Sequence, residues 1–114
     1  RRHPESAPRT SWMQDQLGSG GAPIVAASDW VTALPDLLAP WIDVPYLVLG
    51  TDGFGLSDTR EALREFFSVD AKHITAAAMV ALARGGERTP AEAATAIKEL
   101  GIDPDRLPVF VLDR

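Results

Sequence analysis

Two short runs of consecutive apolar residues, Pro23-Ile24-Val25-Ala26-Ala27 and Tyr46-Leu47-Val48-Leu49, constrain the fold of this chain more than any other feature. Each has the length of a strand and is bounded by turn-forming residues. Each is also apolar on both faces, so the sheet it enters should be covered on both sides. Between them Val31, Leu34, Leu38 and Trp41 recur at i, i+3, i+7 and i+10, one face of a helix that Ser28 or Asp29 could cap. Pro35 falls inside that stripe, where it kinks the helix or marks its start; the continuity of the stripe favours one bent helix. Strand, helix and strand make a right-handed βαβ unit, and with it a parallel sheet.

The second run leads into Gly50-Thr51-Asp52-Gly53-Phe54-Gly55, followed by Asp58 with Glu61 three positions on, the spacing of a capping box that opens a helix. Leu63, Phe66 and Phe67 give that helix its apolar face; Val69-Asp70 should end it, with Asp70 capping the next. There Ile74, Ala77, Ala78 and Ala81 form a narrow stripe of small side chains, and Gly85-Gly86 terminates it. Thr89, Pro90 and Glu92 are N-cap, first helical residue and capping-box partner of a last helix burying Ala93, Ile97 and Leu100 before Gly101. Val109-Phe110-Val111-Leu112 reads as a strand or an arm laid on a partner. Residues 1–22 read as a connecting segment with one short helix capped by Ser11 and Gln14, stopped at Gly18 and followed by the turn Gly18-Ser19-Gly20-Gly21. The domain proper is 23–114.

A chain of 114 residues holds one core. No apolar run approaches the ~20 residues that cross a bilayer, and Arg1 to Arg9 does not resemble a signal peptide. The absence of cysteine excludes disulfides, a thiolate nucleophile and thiolate-held metal, and is consistent with a cytoplasmic protein. A net charge of −5, with Arg1, Arg2 and Arg9 at one end and the other cations scattered, argues against nucleic acid.

The glycine-rich loop lies between a strand and a helix, where backbone N–H groups can cradle phosphate. Gly50, Gly53 and Gly55 fit neither a dinucleotide fingerprint nor a P-loop, so a structural turn is the better reading. Asp52 and Asp58 could form an acid–base pair, but Asp58 serves as a helix cap and Asp52, before Gly53, fits a turn that bonds its own backbone. Ser57 with Asp70 and His73 lacks the setting of a hydrolytic triad, with His73 expected to be exposed. His3 and His73 are the only histidines, too few for a metal centre. Trp12, Trp30 and Trp41, with the alanine-rich helix face, point to packing against other protein.

From Tyr46 to Asp70 the sequence resembles the carboxy-terminal region of homodimeric pyruvate dehydrogenase E1 components, whose run G-T-D-G-F-G-x-S-D-[ST]-R-E is matched by Gly50 to Glu61. His3-Pro4 with Pro8-Arg9, Ala26-Ala27-Ser28-Asp29-Trp30 and residues 71–101 extend the resemblance over nearly the whole chain. Phe54-Gly55-Leu56-Ser57 is more distantly similar to a transketolase loop. The resemblance implies a three-layer α/β/α domain with a mostly parallel sheet, like the last domain of transketolases, with its first strands upstream. It also implies a parent enzyme that decarboxylates pyruvate on thiamine diphosphate and Mg²⁺ and acetylates lipoyl groups. Its partners would be the rest of the E1 chain, a second E1 subunit and the lipoyl acyltransferase, without nucleic acid or membrane.

The family's cofactor motif begins G-D-G and ends in asparagine; here Thr51 precedes Asp52-Gly53 and the chain has no asparagine. The family places its catalytic histidines and glutamate in earlier domains. No catalytic, cofactor or metal role therefore transfers to a residue here. Gly50, Thr51, Asp52, Gly53, Phe54, Gly55, Ser57 and Asp58 are a family signature whose expected role is structural. The alternatives are a free-standing interaction module, or an anion-binding regulatory module using residues 50–55, of the same fold, and the last domain of another thiamine-dependent enzyme such as a transketolase relative.

Overall fold

The structure, a computed structural model, describes residues 3–17 and 20–108. It is an α/β fold. Strands β1 (Ile24–Ala27) and β2 (Tyr46–Leu49) pair in parallel, with Ile24 opposite Tyr46 and Ala27 opposite Leu49. Helix α1 (Trp12–Leu17) precedes the sheet and carries the expected capping box, Gln14 N–H donating to Ser11 Oγ at 3.1 Å and Ser11 N–H to Gln14 Oε1 at 2.7 Å. Gly18 and Ser19 of the expected turn lie outside the described residues, as do Val109 to Leu112.

The connection between the strands differs from the single bent helix. Helix α2 spans only Ala33–Asp36 with Thr32, rather than Ser28 or Asp29, at its N-cap, and a separate 3-10 turn covers Ala39–Trp41. Proline explains both ends. Pro35 sits in the first turn, where a missing N–H costs nothing; Pro40, if the helix continued, would have no N–H to give Asp36. The chain tightens instead, and Leu38 N–H reaches Pro35 O at 3.0 Å. The Tyr46 hydroxyl donates to the same carbonyl at 2.9 Å and ties α2 to β2.

Helix α3 (Arg60–Phe66) is capped by Thr59, whose Oγ1 accepts from Ala62 N–H at 3.3 Å. Asp58, expected to be that cap with Glu61 completing a box, instead accepts from Thr59 N–H at 2.6 Å, one residue earlier. Helix α4 (Ala71–Arg84) has the expected Asp70 cap, and α5 (Pro90–Glu99) has its full box of Thr89 and Glu92. Helix α4 packs across both strands and α5 packs on α4. The α4 stripe is rotated from its expected position: Ala76 and Ala81 are buried, whereas Ile74 is exposed. At Ala81, 0% exposed, a larger side chain would separate the packed backbones.

All three of these helices end in the same motif. After α4, Gly86 (φ 81°) donates to Ala83 O and Glu87 to Leu82 O; after α5, Gly101 (φ 68°) donates to Lys98 O and Ile102 to Ile97 O. After α3, Ser68 N–H reaches Glu65 O at 3.1 Å and Val69 N–H reaches Arg64 O at 2.9 Å, but the left-handed position is a serine at φ 58°. Buried Val69 and the Asp70 cap anchor the chain immediately after this strained turn. It also divides Arg60–Arg84, long and apolar enough to span a bilayer by length and composition, into two helices.

Only Val69, Ala76, Ala81 and Ala93 form a fully buried apolar core among the described residues. All four β2 residues are half-buried, so the two-sided cover expected of the sheet is not completed. The accessible surface is 8614 Å², against roughly 6,100 Å² for a compact protein of this mass. Trp12, Trp30, Leu37, Leu34 and Trp41 are all more exposed than buried.

Because Ser68 is held in a backbone conformation that glycine adopts freely, Ser68→Gly should stabilise the chain by about 0.5–1 kcal/mol. Thermal unfolding of the two proteins checks this; equal or lower stability of the glycine variant would show that the turn is not strained.

Candidate functional site

The two loops that leave the carboxyl ends of the strands are clasped together. Ser28 N–H donates to Leu49 O at 3.1 Å and Thr51 N–H to Trp30 O at 2.9 Å, continuing the parallel ladder past the strands. Thr51 Oγ1 donates to Asp29 O at 2.7 Å. Gly50 is required because a Cβ there would collide with the Trp30 carbonyl oxygen and lie 3.0 Å from Thr32 Cγ2. Gly53, at φ 96°, supplies the turn that follows and meets no neighbour.

Asp52 does not bond its own backbone, as its place before Gly53 suggests. Its carboxylate receives Thr32 N–H at 2.9 Å and Thr32 Oγ1 at 2.7 Å, one oxygen each, across 20 residues of sequence. It thereby satisfies a free donor at the start of α2. Nothing in the spacing of the sequence marks Thr32 as a site residue. A threonine before a short helix is a cap signal, but nothing local says that its partner is an aspartate in the next loop.

Phe54, Gly55 and Asp58 continue around a groove of about 700 Å³ between this loop and α3, whereas Ser57 does not line it. Trp30, Phe54, Leu56 and Phe67 line it, and Asp29, Asp58, Arg60 and Arg64 are set among them. Trp30 is 71% and Phe54 83% exposed, so the aromatic faces project outward rather than closing on a small ligand. A pocket for a small molecule would bury them.

Asp70 and His73 do meet. Asp70 Oδ1 accepts both His73 N–H at 2.9 Å and the His73 ring Nδ1 at 2.6 Å, and His73 is largely buried rather than exposed. Partial burial alone would raise the Asp70 carboxyl; the two hydrogen bonds from His73 and the nearby charges of His73 and Lys72 outweigh it and hold it below its ordinary 3.8. No hydrogen bond joins Ser57 to either, among the described residues, so the three do not form a relay. At the start of α5 the Glu92 carboxyl is likewise lowered, by hydrogen bonds from Thr89 first and from Arg88 second. Both are carboxylates committed to helix capping.

The residues of the glycine loop do not fit thiamine diphosphate with Mg²⁺. Asp52 has both oxygens engaged by Thr32, Thr51 N–H is given to Trp30 O, and there is no asparagine to complete a metal shell. Among the described residues no group of three or more His, Cys, Asp or Glu could hold a metal ion.

This is therefore an α/β fold in which the glycine-rich loop is hydrogen-bonded to the segment after β1 and leaves Phe54 exposed. No family model matches the chain. It is 41% identical over 102 residues to the pyruvate dehydrogenase E1 component of Mycolicibacterium smegmatis, 44% over 104 residues to that of Cupriavidus necator and 38% over 106 residues to that of Escherichia coli K12. These alignments cover 90%, 91% and 92% of this chain, which spans only 11%, 12% and 12% of the relatives' length. The chain belongs to the pyruvate dehydrogenase E1 component family and corresponds to a carboxy-terminal segment of it.

Two outcomes follow from the geometry. Gly50→Ala should destabilise the chain by about 1–3 kcal/mol, because the colliding atom is backbone and part of the clasp; denaturant unfolding checks it, and an unchanged midpoint would refute the close approach. Asp70, with a lowered folded value, contributes stability that is present above the unfolded value of 3.8 and is lost as pH falls through the lower folded one. Asp70→Asn should therefore be less stable at neutral pH and lose less on acidification below about 4, as followed by circular dichroism across pH.

Proposed function

We propose that the chain is a packing domain of a thiamine-diphosphate-dependent pyruvate dehydrogenase E1. In that enzyme pyruvate is decarboxylated and lipoyl groups are acetylated by residues outside this segment. The observation that carries the reading is the uncovered apolar surface. Helices with well-formed caps and a close-packed alanine contact leave Trp30, Leu34, Leu37, Trp41 and Phe54 facing outward. A chain that folds its backbone this carefully and leaves its aromatics bare is shaped to be covered.

The same reasoning supports the finer points. Half-buried strands in a two-stranded sheet suit a transketolase-like α/β/α domain whose remaining strands come from upstream, with residues 1–22 as the approach to it. The groove lined by Trp30 and Phe54 suits a contact with the rest of the E1 chain or with the second subunit of a homodimer. The lipoyl acyltransferase and pyruvate itself belong to the parent enzyme, in the cytoplasm. An anion-binding module is not favoured, since the Thr51 amide is given to Trp30 O and the Asp52 carboxylate beside it would repel an anion.

Isothermal titration of the chain with thiamine diphosphate and Mg²⁺, paired with sedimentation, tests this. The expected result is no saturable heat together with self-association that weakens in a Trp30→Ser, Phe54→Ser double variant. Saturable cofactor binding, or a strictly monomeric chain at high concentration, would overturn it.

A further inference from the structure

The geometry points to residues 103–108 as a strap that latches the strained α3–α4 junction through Arg106. The guanidinium of Arg106 donates through Nη1 to Glu65 O at 3.3 Å and through Nη2 to Phe66 O at 3.1 Å, 40 residues away in sequence. It also stands 6.0 Å over the ring of Phe66.

The last four carbonyls of α3 show why this matters. Leu63 O accepts from Phe67 N–H, Arg64 O from Val69 N–H, and Glu65 O from Ser68 N–H. Phe66 O has Arg106 as its one hydrogen-bonded partner among the described residues. A cation is favoured at a helix carboxyl end, and a planar forked guanidinium holds two adjacent carbonyls through separate nitrogens while lying against a ring, a geometry that the single nitrogen of an ammonium does not reproduce. The strap is itself pre-shaped, with Asp105 N–H donating to Asp103 Oδ1 at 3.0 Å.

The position latched is the one where the backbone stores strain. Ser68 is the sole non-glycine residue at positive φ among the described residues, and it lies two residues beyond Phe66. On one side of it α3 leads back to the glycine loop; on the other, Asp70 caps the helix that packs on the sheet. With the strap seated, Phe66 O is satisfied and the turn is fixed. With the strap displaced, the end of α3 is left with a free carbonyl beside a strained residue and can open, carrying the glycine-loop side of the groove with it. Whatever draws residues 103–108 away thus loosens the groove without touching it. This reading does not depend on the packing role proposed above.

Hydrogen exchange followed by mass spectrometry on the whole chain tests the latch. Arg106→Ala should raise exchange of the Phe67, Ser68 and Val69 amides about tenfold, while the amides at the end of α5 keep the parent rate. Arg106→Lys should fall between the two. Unchanged exchange at 67–69 in Arg106→Ala would overturn the proposal, as would full rescue by lysine. A rise of the same factor throughout α4 and α5 would also overturn it, since Arg106 would then support general stability and not this junction.

Discussion

The contact on which the rest depends is the approach of Gly50 to the Trp30 carbonyl. Two parallel strands of four residues each cannot hold themselves together in water, and the ladder between β1 and β2 is extended only because the chains beyond them stay paired. That pairing requires a residue without a side chain at 50. Once the backbones are in contact, Thr51 can reach Asp29 O, and Asp52 can place a carboxylate at the start of α2. A loop that has the composition of a phosphate cradle thereby becomes a joint, with the Thr51 amide and hydroxyl and the Asp52 carboxylate engaged inside the fold.

The glycine-rich run can be accounted for residue by residue within the fold. The run answers to backbone geometry at Gly50 and Gly53, to hydrogen bonding at Thr51 and Asp52, and to surface shape at Phe54 and Leu56. Among the described residues the buried core is Val69 with three alanines, while Trp12, Trp30, Trp41 and Phe54 are exposed.

Local signals were legible in the sequence wherever a few neighbouring residues settle the outcome. Both strands, the parallel unit, the caps at Ser11, Asp70 and Thr89, and the glycine stops at Gly86 and Gly101 follow from short-range rules. The same rules misplaced the cap of α3 by one residue, because Asp58 and Thr59 are both good caps and only the geometry of the incoming loop chooses between them. They also joined α2 and the 3-10 turn into one helix, because apolar spacing ignores what Pro40 does to the backbone.

What the sequence by itself determined is the family, the α/β class and the element order, since each is written in contiguous residues. What only the tertiary structure decided is the use of those residues. Asp52 bonds Thr32 rather than its own turn, His73 is drawn in by Asp70, and Arg106 finishes a helix that ended 40 residues before it. The physical reason is common to all three. A polar side chain takes the partner that folding brings within about 3 Å, and that proximity is set by the packing of distant segments, not by spacing along the chain.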